Sequence, residues 1–137
     1  MVVKITVFCY IVVMIEEEIK ILKEIENYAF SHFPELDLIK YKWHGDVYVW
    51  KLSLPFDTWE IIKYDSINQH TIQISNNFVV KDDSIELDED SWNNCPTYDL
   101  YDCKDMKKLY DTIDRLHLQY KKWLTNIKLE KINNDFC

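Results

Sequence analysis

From Ile15 to Phe33 the apolar residues recur in steps of three and four, at Ile15, Ile19, Leu22, Ile25 or Glu26, Ala29 and Phe33, with Ile21 and Tyr28 widening the stripe. That spacing puts them on one face of an α-helix. Glu16, Glu17 and Glu18 open it, where carboxylates complement the helix dipole, and Pro34 closes it. Ahead lies Ile5 to Ile15, a run of eleven uncharged and mostly apolar residues behind Lys4. It is too short to span a bilayer. A secretory signal would want more positive charge before it and small residues after it, where three glutamates stand instead. A natural start at Met14, with the first 13 residues an upstream extension, is a further reading. Its β-branched content, at Val2, Val3, Ile5, Thr6, Val7, Ile11, Val12 and Val13, favours a buried strand.

After Pro34 the period changes. Leu36–Trp43 and Val47–Leu54 are aromatic and β-branched runs around Gly45, the only glycine, and read as a β-hairpin. Pro55-Phe56-Asp57 is the next turn, Thr58–Tyr64 a third strand, Asp65–Asn68 a turn, His70–Ile74 a fourth strand and Phe78–Val80 a fifth. Short sequential strands with turn-sized gaps make an antiparallel meander. From Lys81 to about Tyr101 no period is sustained, so a loop is expected, with a short strand at Ile85–Leu87. Beyond it Met106, Leu109, Tyr110, Ile113, Leu116, His117, Tyr120, Trp123, Leu124 and Ile127 form a second helical stripe. Asp102 is its N-cap, with Asp105 three residues on. Lys104 to Lys131 would make a helix about 40 Å long, with the whole stripe, Trp123 included, in the core. The fold expected is α+β: one domain, an antiparallel sheet of roughly four to six strands, flanked by an N-terminal and a long C-terminal helix.

The 137 residues are enough for one sizeable core, and 47% hydrophobic and 15% aromatic content is that of a folded chain. With one glycine, neither G-x-G-x-x-G nor the P-loop can be written. Charge adds more. The net is −8, and Asp82–Asp105 holds nine carboxylates against Lys104 alone, while the remaining fifteen acids and fifteen bases balance. Such a field repels phosphate backbones and attracts basic surfaces, so direct nucleic-acid binding is not expected.

Local motifs for chemistry are weak. Cys9, Cys95, Cys103 and Cys137 contain no C-x-x-C pair, which suits free thiols in a reducing cytoplasm, with a Cys95–Cys103 disulfide as the alternative. His32, His44, His70 and His117 have no metal spacing, and His117, on the apolar stripe, reads as a packed histidine. Asp57, Glu60 and Lys63 have the content of a magnesium nuclease site, but positions 60 and 63 of one strand face opposite ways. Asp88, Asp90, Asn94 and Asp99 fit an EF-hand loop only if Trp92 and Asn93 stand where a ligand and a glycine belong. No cofactor or metal is expected.

What remains is Asp82, Asp83, Glu86, Asp88, Glu89 and Asp90, six carboxylates in nine positions, followed by Trp92, Tyr98 and Tyr101. Spaced carboxylates can take the places of phosphates on a basic groove, and the aromatics supply packed contacts. The expectation is a non-catalytic inhibitor that binds a basic, nucleic-acid-binding protein, as phage anti-CRISPR proteins do. An immunity protein capping a toxin nuclease is the alternative, and an unrecognised small enzyme the third class. A solvated acidic loop is the plain structural reading of the same residues.

Overall fold

A computed structural model describes residues 2–43, 47–54, 60–68, 70–75, 78–80, 85–87 and 95–136; in helix and strand the side chains of residues 2–15, Trp43, Val80, Glu86, Leu87 and Phe136 lie outside the description. Helix α1 spans Val2–His32. Strands β1 (Asp37–Trp43), β2 (Val47–Ser53), β3 (Glu60–Asp65) and β4 (Thr71–Ile74) follow. Next come β5 (Phe78–Val80), β6 (Ile85–Leu87), β7 (Thr97–Asp99) and helix α2 (Cys103–Phe136). The five-stranded antiparallel sheet has the order β1-β2-β3-β4-β7, and β5 and β6 form a separate two-stranded sheet. This is the α+β arrangement expected, a meander to which a late strand has been added.

The N-terminal run is not a strand. Residues 2–15 continue α1. A continuous apolar run carries no period to separate strand from helix. No Gly, Pro or Asn interrupts the chain between Val2 and the helix that follows, and β-branched residues cost a helix only tenths of a kcal/mol each. Glu16–Glu18 therefore sit mid-helix, and no acid stands in its first turn.

The hairpin forms in full register from Asp37↔Ser53 to Trp43↔Val47; Gly45 and residues 55–59, where the Pro55-Phe56-Asp57 turn is expected, lie outside the described residues. Between β2 and β3 the register slips at Leu52/Ser53, so Leu52 faces Ile62 while Ser53 faces Glu60. The extra residue, Ile61, is buried in the core. His70 is not in β4: its φ of 66° puts it in the left-handed region, and the strand begins one residue later. Strand β7, expected as loop, pairs with β4 through Ile72↔Tyr98.

One face of the sheet is covered. Trp50, Leu52, Ile62, Tyr64, Ile72 and Ile74 join Leu22, Ile25, Ala29 and Phe33 of α1 and Leu109, Ile113, Leu116 and Tyr120 of α2 in one buried cluster. Phe78 and Ile85 bring the small sheet into it, and the Phe78 amide donates to Gln119 Oε1 at 3.1 Å. Contacts advance together along the two helices, from Tyr28 with Tyr110 to Phe33 with Tyr120, so they run in the same direction. Helix α2 is about 50 Å long at 1.5 Å per residue, and its last third runs past the core: Leu129 and Ile132 are about half exposed. No helix among the described residues is long and apolar enough to cross a membrane.

Candidate functional site

The acidic segment joins β5 to α2. Asp82, Asp83, Asp88, Glu89, Asp90 and Trp92 lie outside the described residues, and for Glu86 the backbone alone is described, paired with Val79. The segment's described residues are fixed to the body at Ile85, within the acidic run, and at Leu100, after it, both buried. Tyr98 is half buried against the core. Tyr101 is 45% exposed, its ring edge-on to His70 with centroids 5.0 Å apart.

The last three acids of the segment are spent locally. Asp102 caps α2, its Oδ1 accepting from the Lys104 amide at 2.8 Å and the Asp105 amide at 3.1 Å. Asp105 Oδ2 accepts from the Asp99 amide, and Asp99 Oδ1 from the Tyr101 amide, both at 2.9 Å. The cap is where the sequence placed it. Asp105, however, ties down β7 rather than reaching back to the cap residue.

A second constellation was not foreseen. Glu18, expected in the opening turn of the helix as a partner of its dipole, is instead 3% exposed. Its Oε2 accepts from the Tyr64 hydroxyl, and its Oε1 from the His70 amide at 3.0 Å and from His70 Nδ1 at 2.7 Å. An ionised carboxylate has no proton to give, so opposite it the His70 ring makes this bond with Nδ1 as the donor. The left-handed turn of His70 lets amide and ring converge on one oxygen. Its carbonyl accepts from the Leu100 amide at 2.7 Å. One carboxylate thus joins α1, β3 and the start of β4, and His70 extends the link to the end of β7. Burial, then the Glu18 carboxylate, push the Tyr64 phenol far above its ordinary range. The signal was available: Glu18 is four residues before Leu22 and falls on the stripe of Leu22, Ile25 and Ala29, whereas Ile19, assigned to that stripe, is exposed.

Among the described residues Glu26 is the other buried carboxylate. Burial alone would raise its carboxyl, but Lys23 at 2.8 Å and Lys40 at 3.3 Å hold it below the usual value.

The helix seam carries a third polar group. Tyr28 donates to Asp114 Oδ1 at 2.6 Å, and that bond, then burial, pushes its phenol up to about 12. His32 Nε2 lies 3.4 Å from the same oxygen. His117 is wedged edge-on against Phe33 at 5.1 Å and His32 at 5.4 Å. Burial, then the charges of His32 and Lys121, push the His117 imidazole down, against a weaker opposing pull from the Asp114 and Glu35 carboxylates. A histidine harder to protonate when folded makes the unfolded chain bind more protons, so stability rises with pH across that interval. Urea-unfolding free energy is expected to fall as the pH drops below about 6.5, and His117→Gln should flatten that limb. A limb of unchanged slope in the variant would show that His117 is not its source.

No group of three or more His, Cys, Asp or Glu among the described residues could hold a metal ion. Cys95 and Cys103 are free thiols, not a disulfide, and burial pushes the Cys95 thiol up, away from reactive thiolate. Glu60, from the nuclease-like triplet, is bound to Lys51 at 2.8 Å. No family model, curated protein or solved structure matches this chain.

Proposed function

We propose that this chain is a non-catalytic binding protein whose acidic segment occupies the basic, nucleic-acid-binding groove of another protein and blocks it. The observation that carries the reading is the segregation of charge: the whole net charge of −8 falls between Asp82 and Asp105, and the rest of the chain is neutral. A random scatter of acids would aid solubility equally well without producing one strongly negative region. Two features of the described residues support it. Ile85, inside the stretch, and Leu100, after it, are buried in the core, so Glu86, Asp88, Glu89 and Asp90 belong to a segment tethered at two points, which lowers the ordering cost of binding. Tyr101, exposed next to Leu100 in the chain, is of the residue type that most often carries interface energy.

The test is neutralisation. Replacing Asp82, Asp83, Glu86, Asp88, Glu89 and Asp90 by Asn or Gln removes six charges. The parent chain, used as bait in lysate of its producing cell, is expected to retain a basic protein that added nucleic acid displaces. The neutralised chain should fold, associate more slowly with that protein and lose most of the salt dependence. Equal binding by both chains at low and at high salt would reduce the segment to a solvated loop.

A further inference from the structure

The face of the sheet turned away from the helices carries a built arrangement that the acidic segment does not use. Strand register lines up Tyr41 with Val49, Val49 with Asp65 and Lys51 with Lys63, then Lys63 with Gln73 and Gln73 with Thr97. Two cavities of about 170 Å³ each open on this face. The first is polar, bounded by Asn68, Thr71, Gln73 and Thr97, the second more apolar, bounded by Tyr41, Val49, Lys51 and Ile67. Lys63 and Asp65 line both.

The charges on this face are unevenly satisfied. Lys51 is closed off by Glu60 at 2.8 Å, with its ammonium 6.0 Å from the Tyr41 ring centroid. Asp65 is held by Asn68, whose amide donates to Oδ1 at 3.0 Å and whose side chain donates to Oδ2 at 3.1 Å. That leaves lone pairs on both oxygens. Lys63, half buried, makes no hydrogen bond or ion pair with any described residue, Asp65 included. Two opposite charges stand two residues apart on one strand, about 7 Å along it, and do not meet.

We propose that the two cavities form one binding site for a zwitterionic α-amino acid with an apolar side chain. Its carboxylate lies on Lys63, its ammonium on Asp65 and its side chain between Tyr41, Val49 and Ile67. Charge selects this class. Lys51, Lys63, Glu60 and Asp65 sum to zero, so the site favours neither a lone anion nor a lone cation, and the protein's negative field works against a free anion. A zwitterion is indifferent to that field yet satisfies both unmatched charges. Gln73 and Thr97 flank the Lys63 end with further donors, and the tie to Asn68 fixes the Asp65 carboxylate before the ligand arrives.

Titrating the full chain with L-phenylalanine, followed by amide proton–nitrogen correlation spectra, tests this. Saturable shifts are expected at Tyr41, Val49, Lys63, Gln73 and Thr97, with a dissociation constant in the low millimolar range, ~1–5 mM. N-acetyl-L-phenylalanine and phenethylamine, each missing one charge, should bind about tenfold more weakly. Lys63→Met, shown to be folded by its own spectrum, should bind phenylalanine no better than it binds phenethylamine. The proposal is overturned if phenylalanine gives no saturable shifts at these residues up to ~20 mM, if N-acetyl-phenylalanine binds equally well, or if Lys63→Met leaves the preference intact.

Discussion

Glu18→Ala should destabilise the fold by about 3–5 kcal/mol, the range for removing one partner of a buried charged network. The substitution deletes the acceptor of three hydrogen bonds at once, from the Tyr64 hydroxyl, the His70 amide and His70 Nδ1. Tyr64 is itself fully buried, so its hydroxyl has no access to water once the carboxylate is gone. The His70 amide loses the bond that rewards a left-handed backbone, a conformation costly for a residue with a Cβ. Glu18→Gln keeps the shape and one acceptor oxygen and should cost about 1–2 kcal/mol. Tyr64→Phe, which leaves both His70 bonds in place, should cost a similar amount. Urea unfolding with an unchanged m-value measures all three. A loss below about 1 kcal/mol for Glu18→Ala would mean that water reaches the site and that the carboxylate does not hold α1 to β4.

Why the sequence reading missed this junction follows from what a period contains. Steps of three and four identify a helix, but the rotation of its buried face depends on partners that lie elsewhere in the chain. Glu18 and Ile19 are neighbours on the helix circumference, and His70, 52 residues away, decides which of them turns inward. The meander was legible because turn residues and β-branched runs are local: β1, β2 and β3 stand where the alternation put them. Strand β7 was not, since three residues after Pro96 with Tyr98 as their only apolar member have no pattern of their own. It is a strand because β4 offers a free edge and the Asp99–Asp105–Asp102 bonds hold it there. The acidic segment was conspicuous from composition alone. Composition gave no sign that Tyr98 is half buried in that strand while Tyr101 is exposed.

The same distinction between period and partner governs the two tryptophans, and Trp50→Ala should cost about 3–5 kcal/mol where Trp123→Ala costs about 1–2 kcal/mol. Both sit on apolar patterns in the sequence, Trp50 in the Val47–Leu54 run and Trp123 on the stripe of α2. Trp50 is 1% exposed on the covered face of β2, set between Lys40 of β1 and Tyr64 of β3 by the strand register. Neighbours on both sides of the sheet position are pinned by backbone ladders, so the hole left by alanine cannot collapse, and the cavity term adds to the lost transfer energy. Trp123 stands on α2 just where the helix leaves the core. It is half buried, its ring 5.8 Å from that of Tyr120, and exposed Lys121, Lys122 and Thr125 surround it along the helix. Truncation there removes contact area at an open margin, where water can enter instead of leaving a void. The readout is the unfolding free energy of each variant from urea titration. Trp50→Ala should unfold at a distinctly lower midpoint than Trp123→Ala, and the reverse order would mean that the end of α2 is packed under a larger surface than the described residues provide.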